Sequence, residues 1–495
     1  MWSRSLISKR MSRPVLRAAQ RTQTIARHMS TDAPQQPPVV FESLLSTRVY
    51  RLNRPQKLNA LDTTMIGLVR SKAEEWSQSD LCGVIWGSGE GRAFCAGGDV
   101  AGVVSDASNS ETRPKAVEFF RREFELDYIL GALKKPYVAI MDGITMGGGV
   151  GLSINASFRV ATENTQFAMP EVKIGYSPDV GASFFMSRLD GELGTYLALT
   201  GETIRGRAVF PVSEHGIATH YIPAKRIPML LESVSAVENP TFDQVNQLIE
   251  ENVSEPEHPG RFESDFVGVK RFFLDYAFRH DKVEDIYGAL EEIKKSTEGD
   301  ISEWASKTIS HLNMRSPTSL KVALRAIRAG RSMNLLEALK MEFNIAAAYC
   351  NGASPDFKTG VTAVIVEKKT KERPQWNPAT LEEVTDEIVD RFFSSESEYL
   401  QGTREFSMPA EFLNNNDPSK YALPTQQSIH DMVTGAHKSS GGTGLMLDEL
   451  VSNFENMYGN KIGVREKVLE VADRKCKVVD NADGNNVWLK WNYTV

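Results

Sequence analysis

Two glycine-rich segments carry the clearest chemical potential in the chain. They are Arg92-Ala-Phe-Cys-Ala-Gly-Gly-Asp-Val100 and Gly143-Ile-Thr-Met-Gly-Gly-Gly-Val-Gly151, and each follows a short apolar run. Glycine lets the main chain take positive φ and approach a ligand closely. The second segment leads into a predicted helix, whose first N–H groups lack partners and sit at the positive end of the helix dipole. Two such N–H groups aimed at one point would polarise a carbonyl and hold the oxyanion formed on it. Each segment alone is weakly specific, because a tight packed turn needs the same glycines. The second one does not fit a GxGxxG fingerprint with an acid about 20 residues on, and GxxxxGK[ST] is absent, so nucleotide-phosphate readings fail. Cys95 lies in the first segment, but no histidine is near it in sequence to activate a thiol.

The bulk numbers narrow the setting. A chain of 495 residues calls for two to four units. Hydrophobic residues at 41% and charged residues at 24% describe an ordinary globular protein. A net charge of −7 argues against a nucleic-acid surface, and no direct DNA binding is expected. The four cysteines form no CxxC pair, and the eight histidines include no HExxH, so no metal site is expected. His215 and His220 read as structural. No apolar run of about 18 residues suggests a membrane span. The first thirty residues differ from the rest: Arg4, Lys9, Arg10, Arg13, Arg17, Arg21 and Arg27 all precede the first acid, Asp32. With frequent Ser and Thr, residues 1–32 read as a mitochondrial transit peptide, which predicts a matrix protein.

The elements that must position the glycine segments follow from periodicity. Val39 to Leu45 and Thr47 to Leu52 alternate as strands. Asp62 is placed to cap a helix to Ser79, with Met65, Leu68, Val69, Ala73 and Trp76 on one face. Gly83 to Gly89 and Pro136 to Met141 read as buried strands, with a helix from Lys115 to Leu133 between them. Phe158 to Thr162 and Phe167 to Met169 are short strands, and helices dominate from Val180 onward. Glu251 to Arg261 reads as a loop, and Ser264 to Tyr349 as mostly helix. Strands interleaved with helices of this length predict an α/β fold.

Several ordered motifs together resemble the enoyl-CoA hydratase/isomerase, or crotonase, superfamily. Leu52-Asn-Arg-Pro-Gln-Lys-Leu-Asn-Ala-Leu61 is similar to its opening motif, the two glycine segments to its two oxyanion loops, and Phe167-Ala-Met-Pro-Glu171 to its catalytic strand end. The resemblance runs from about Val39 to Pro378. It implies an α/β fold with a spiral ββα core over 39–262, a helical part over 263–400 and a small α+β extension over 401–495. It further implies that the Gly98 and Gly148 amides bind the thioester oxygen of an acyl-CoA, and that Lys57, Leu58, Asn59 and Ala60 lie near the adenine end of CoA. CoA is then part of the substrate, and no separate cofactor is expected.

The same resemblance bears on the reaction. Hydratases of the superfamily use two glutamates; the position of the first is Gly151 here, while the second is kept as Glu171. Eight residues on, Asp179 stands in Gly-Tyr-Ser-Pro-Asp-Val-Gly181, a pattern similar to the 3-hydroxyisobutyryl-CoA hydrolase family of valine breakdown. Glu123, in Phe119-Phe-Arg-Arg-Glu-Phe124, matches a substrate-contacting acid of that family. The expected activity is therefore hydrolysis of 3-hydroxyisobutyryl-CoA and of 3-hydroxypropionyl-CoA. Glu171 would be nucleophile or general base, Asp179 would assist proton transfer or hold the substrate hydroxyl, and Glu123 would orient either substrate or Glu171. Neighbouring carboxyls in a dry cleft would raise each other's pKa. Asp179 also suits an N-cap for a helix starting near Val180. Enoyl-CoA hydration or isomerisation is the alternative reaction, and Gly151 argues against it.

The tail from Gln401 is treated separately. Ser428 to Val433, Leu445 to Tyr458 and Val464 to Asp473 read as helices, and Lys475 to Val479 and Val487 to Trp491 as strands about the turn Asp480 to Asn486. Three helices and a hairpin suggest a winged-helix-like module. Ten basic against twelve acidic residues favour a protein-facing role. The tail resembles that of fungal members of the hydrolase family, some of which are associated with the small subunit of the mitochondrial ribosome. A ribosome-bound structural role, with or without activity, is the second functional expectation.

Overall fold

In the computed structural model, β1 (Val39–Leu44) and β2 (Thr47–Leu52) pair as an antiparallel hairpin, as their alternation predicts. The structure describes residues 36–493 apart from 211–216, 255–265, 405, 410–411, 414–416, 442–443 and 481–486. The expected transit segment, His215, and most of the 251–261 loop and of the 480–486 turn lie outside the described residues. Further strands are β3 (Val84–Gly89), β4 (Ala93–Cys95), β5 (Tyr137–Met141), β6 (Ile144–Met146), β7 (Phe158–Ala161), β8 (Gln166–Ala168), β9 (Ile204–Arg205) and β10 (His220–Tyr221). They form two sheets, ordered β1-β2-β3-β5-β7-β10 and β4-β6-β8-β9. The pairs β2-β3, β3-β5, β5-β7 and β7-β10 are parallel, as are β4-β6 and β6-β8. Each passage of the chain thus lays one strand in the larger sheet and the next in the smaller one. This is the ββα spiral expected from the sequence. The strands β4 and β6 were not legible as strands, because three residues are too few to show a period and glycines follow at once.

The Thr63–Gln78 helix starts where its cap predicts, with Asp62 Oδ1 accepting the Met65 N–H at 2.9 Å. Its buried face is Met65, Ile66, Val69, Ala73 and Trp76. Leu68 was expected there but is 36% exposed. At about 100° per residue it stands roughly 110° from the middle of that face, and Ile66 takes its place. The Arg113–Gly131 helix buries Phe119, Phe120, Phe124, Leu126, Ile129 and Leu130, but also Glu123, Glu125 and Asp127. Glu125 is matched by the guanidinium groups of Arg70 and Arg121. Among the described residues, neither Glu123 nor Asp127 has an arginine or lysine paired with it in this way.

Helices Gly268–Phe278, Val283–Ser296, Asp300–Asn313, Pro317–Gly330 and Leu335–Cys350 follow, as the periodicity predicts. In the tail, helices Gln426–Thr434, Leu447–Met457 and Val464–Lys475 precede an antiparallel hairpin of β11 (Cys476–Asp480) and β12 (Val487–Trp491). The tail is not set apart: Val39–Val495 is one unit. The Lys467 ammonium is 2% exposed and pairs with the Asp190 carboxylate, which is also buried. Arg159 donates to the carbonyl of Pro418 at 2.8 Å, and Phe158 stacks on Tyr421 at 4.8 Å. Among the described residues, no helix is long and apolar enough to cross a membrane.

Removing one member of a buried charge pair leaves the other stranded in a medium that solvates it poorly. Lys467→Ala is therefore expected to destabilise the whole chain by about 3–5 kcal/mol. Chemical denaturation followed by circular dichroism should show a single transition shifted to lower denaturant. An unchanged midpoint would show that the tail does not support the rest of the fold.

Candidate functional site

The smaller sheet explains why positions far apart in sequence meet. Its parallel neighbours β4, β6 and β8 end side by side, and the chain leaves them at Gly97–Gly98, Gly147–Gly148 and Pro170–Glu171. The carboxyl ends of parallel strands are where open α/β sheets place ligands. Leu61 donates its N–H to Gly97 O and accepts from the Asp99 N–H, both at 2.8 Å. That pairing leaves Gly98's own N–H directed away from Leu61. Gly147 takes φ +48, which glycine adopts without strain, and the helix Gly148–Ile154 begins inside the glycine triplet rather than after it. A Cβ placed on Gly97 would lie 3.8 Å from the Gly148 nitrogen, so the two loops abut. Gly98, Gly148, Glu123, Glu171 and Asp179 all line one cavity of about 780 Å³. The five residues singled out in the sequence are therefore brought together.

The expected CoA segment divides. Lys57, Leu58 and Ala60 line the cavity, and Lys57 Nζ is held 2.7 Å from Asp99 Oδ2. Asn59 does not: it is fully buried, and its amide donates to Ala93 O at 2.7 Å and Glu90 O at 3.0 Å, bracing the first glycine loop. Its short side chain points inward because its backbone, at φ +57, turns there. Arg92, Lys173 and Lys368 also line the cavity, and the sequence had not indicated them. They supply the positive charge that a polyanionic ligand needs.

Asp179 is not a helix cap. The helix begins at Ala182, two residues later than expected, and no side chain caps it. Val180 at φ +56 and Gly181 at φ +91 lift the chain out of helical geometry first. Asp179 is thereby free to face the cavity, at 6% exposure. The Tyr176 hydroxyl stands beside it, outside good hydrogen-bond geometry. Tyr176 itself is stacked between Phe120 and Phe357, with ring centroids 5.4 and 4.7 Å away.

Burial among these rings sets the electrostatics. Burial first, then the nearby Glu171 charge, pushes Glu123 up to about 8. Burial likewise pushes Glu171 up to about 8, opposed by Lys173 and reinforced by Glu342. Asp179 is driven well above the carboxylate range by burial and by the charges of Glu171, Glu123 and Glu342. Glu123 Oε1 and Glu171 Oε2 are buried without a hydrogen-bond partner. Cys95 is buried and its thiol is pushed up to about 12, so it stays protonated and supplies no nucleophile. His220 is a core residue between Thr219, Asn246 and Glu250, with burial lowering it to about 4.

The cluster also holds an acid that went unnoticed in the sequence. Asp127 lies one helical turn beyond Glu123, fully buried, with both carboxyl oxygens unpartnered and its pKa driven well above normal by burial. Glu123 and Asp127 project onto the Gly148–Ile154 helix opposite Gly148 and Gly151. A Cβ on Gly148 would overlap Glu123 Oε1, and one on Gly151 would lie 2.5 Å from Asp127 Oδ2. The two glycines are thus notches that admit the two carboxyls. The place that an acid side chain at 151 would occupy is filled from the opposite helix.

A cavity that brings the two glycine-rich loops together with buried acids has the parts needed to polarise a carbonyl and move a proton. The chain matches the family Enoyl-CoA hydratase/isomerase over residues 47–393, and it belongs to that family. It is 40% identical over 386 residues to the mitochondrial 3-hydroxyisobutyryl-CoA hydrolase of Homo sapiens, covering 76% of this chain and 94% of that one. It is 38% identical over 454 residues to the small ribosomal subunit protein mS47 of Neurospora crassa, covering 88% of this chain and 85% of that one. The crystal structure of a carnitinyl-CoA dehydratase from Mycobacterium thermoresistibile aligns with a TM-score of 0.65 at 30% identity, covering 76% of this chain and all of that one. The crotonase-type fold expected from the sequence is present, and the chain, like its hydrolase relatives, is a mitochondrial protein.

The notch makes a specific claim about position 151. Gly151→Glu alone should overpack the helix interface and cost roughly 1–3 kcal/mol. Adding Asp127→Gly should recover most of that loss, as read from thermal unfolding of the two variants beside the parent. Equal stability of the single variant and the parent would show that the space is not filled.

Proposed function

We propose that the chain hydrolyses 3-hydroxyisobutyryl-CoA, and 3-hydroxypropionyl-CoA with it, to the free acid and CoA in the mitochondrial matrix. The single observation that carries this reading is the convergence of Glu171 and Asp179 with Gly98 and Gly148 on one buried cavity, in a chain 40% identical to a named hydrolase. The Gly98 and Gly148 amides receive the thioester oxygen and hold it as charge develops. Glu171 either deprotonates a water that attacks the carbonyl carbon, or attacks that carbon itself to give an acyl-enzyme anhydride that a water then hydrolyses to the free acid, and either route needs it ionised. Asp179, kept protonated by its neighbours, gives a proton to the departing thiolate or holds the substrate hydroxyl. Glu123, opposite Gly148, orients the acyl group. Lys57, Leu58 and Ala60 with Arg92 and Lys368 receive the CoA portion, whose phosphates favour basic residues. CoA is part of the substrate, and the proposed reaction uses no other cofactor. The glycine at 151 removes half of the hydratase pair, which favours hydrolysis over hydration.

A second reading has its own support. An alignment covering 88% of a 495-residue chain exceeds the 400 residues that precede the tail, so similarity to the ribosomal protein extends into residues 401–495. These residues then dock the chain on the small subunit of the mitochondrial ribosome, with the hydrolytic site retained. In a sucrose gradient of mitochondrial lysate the chain should sediment with small-subunit fractions; recovery wholly at the top of the gradient would remove this reading.

The catalytic reading is tested by free-thiol release from a panel of acyl-CoAs. Short β-hydroxyacyl thioesters should be hydrolysed, and Glu171→Gln should slow release by roughly 10²–10⁴-fold. Appreciable hydration of crotonyl-CoA would instead favour the hydratase reaction. The pH dependence follows from the raised pKa. Because Glu171 must be ionised and burial pushes it up to about 8, kcat/KM should climb with pH and level off above that value. A rate that is flat from pH 6 to 9 would contradict a buried base.

A further inference from the structure

The turn that carries Asp179 is held from outside. Val180 is β-branched yet sits at φ +56, a conformation that persists only where the surroundings enforce it. Asp179 supplies little of that enforcement, since only its carbonyl is engaged locally, by the Ala182 N–H at 2.9 Å. The enforcement comes from Glu342, 161 residues away on the Leu335–Cys350 helix and 1% exposed. Its Oε2 accepts the Gly181 N–H at 2.6 Å, and its Oε1 accepts the Ser183 N–H at 2.7 Å and the Ser183 hydroxyl at 2.6 Å. Three donors on one carboxylate, all from the two residues that bracket Ala182, make a charge-assisted clamp. The same helix adds a steric wall, because Leu335 Cδ1 lies 3.2 Å from where a Gly181 Cβ would be. The helix is itself fixed at its start, where Asn334 and Glu337 form a reciprocal cap.

We propose that Glu342 is a positioning residue of the hydrolytic site, whose carboxylate grips Gly181 and Ser183 and thereby fixes where Asp179 stands. The proposal rests on the hydrolase reading for its kinetic consequence, but not for the clamp. Glu342 acts on the site in two ways. It sets geometry through the turn, and its negative charge faces the carboxyls of Asp127, Glu171 and Asp179, raising each of them. Glu123 and the Tyr176 hydroxyl also face Asp179, and Lys173 is the cation that faces Glu171. Glu342 itself is pushed up to about 7 by burial, opposed by its Ser183 and Gly181 donors, so it is ionised across the working range above that value.

The test uses the full chain with Glu342→Gln, Glu342→Asp and Ser183→Ala, each confirmed folded by thermal unfolding. In Glu342→Gln the amide NH₂ meets a donor where the carboxylate met one, so the turn loosens and one negative charge is lost. The expected result is a fall in kcat of about 10²-fold with KM nearly unchanged, as for a misplaced reacting group. The midpoint of the kcat/KM profile should move to lower pH, because a like charge has left the neighbourhood of Glu171. Ser183→Ala keeps the charge, so its kcat should fall by less and its midpoint should stay. Glu342→Asp should also keep the midpoint while losing kcat to its shorter reach. A folded Glu342→Gln with parental kcat and midpoint overturns the proposal, and so does a loss of rate with no movement of the midpoint, which a purely structural role would give. Amide hydrogen exchange separates this from the hydrolase reading. The Gly181 and Ser183 amides should exchange slowly in the parent and faster in Glu342→Gln whether or not any thioester is cleaved. Equal exchange in the two proteins sinks the clamp itself.

Discussion

Carboxyl groups withheld from water, with too little positive charge beside them to offset their burial, are the constraint around which this molecule is arranged. Glu123, Asp127, Glu171 and Asp179 are all buried, and their pKa values are all raised. The contrast with Glu125 is instructive, since it lies on the same helix, between Glu123 and Asp127. It faces the other way and is neutralised by two arginines. Burying unpaired acids is unfavourable for folding, so they persist only if packing elsewhere outweighs them. The aromatic wall of Phe120, Tyr176, Tyr349 and Phe357 supplies both the burial and part of the compensation. Acids that keep their protons near neutral pH are what a site needs to lend a proton and take it back.

The glycines around this cluster answer two different demands. At Gly147 the demand is conformational, a φ of +48 where strand β6 turns into a helix. At Gly148 and Gly151 it is volumetric, because the carboxyls of the facing helix occupy the space. A single run of glycines therefore shapes both an amide pocket and the seat for the acids beside it. This links the choice of reaction to packing between two helices rather than to one residue in the cavity wall.

Much of this was legible in the sequence, and the division follows distance along the chain. Local signals were read correctly: the Asp62 cap, the buried runs of β3 and β5, the glycine loops, and the three tail helices with their hairpin. Errors arose where a local rule met a tertiary contact. Asp179 has the chemistry of a cap, but the strained Val180 and a carboxylate from a distant helix delay the helix start. Asn59 lies in a stretch that otherwise faces the cavity, yet its amide is taken up by the carbonyls of Glu90 and Ala93. Asp127 and Glu342 went unremarked because an acid on a helix is ordinarily a solvated residue. In retrospect Asp127 carried a signal, one turn beyond Glu123 on a helix rich in apolar residues. Nothing near Glu342 in sequence points to Gly181.

The seam between the tail and the rest of the chain is closed by charge as well as by apolar contact. Lys467 reaches Asp190, Lys461 reaches Glu250, and Arg159 reaches Pro418. Asp190, Glu250 and Arg159 all lie in the part of the chain, residues 47–393, that matches the enoyl-CoA hydratase/isomerase family. The tail cannot then act as a tethered arm that swings out to find a partner. If an assembly gripped its outer surface, as proposed above, it would carry the body of the chain along with it, and access of a long thioester to the cavity would then be decided by the docking angle.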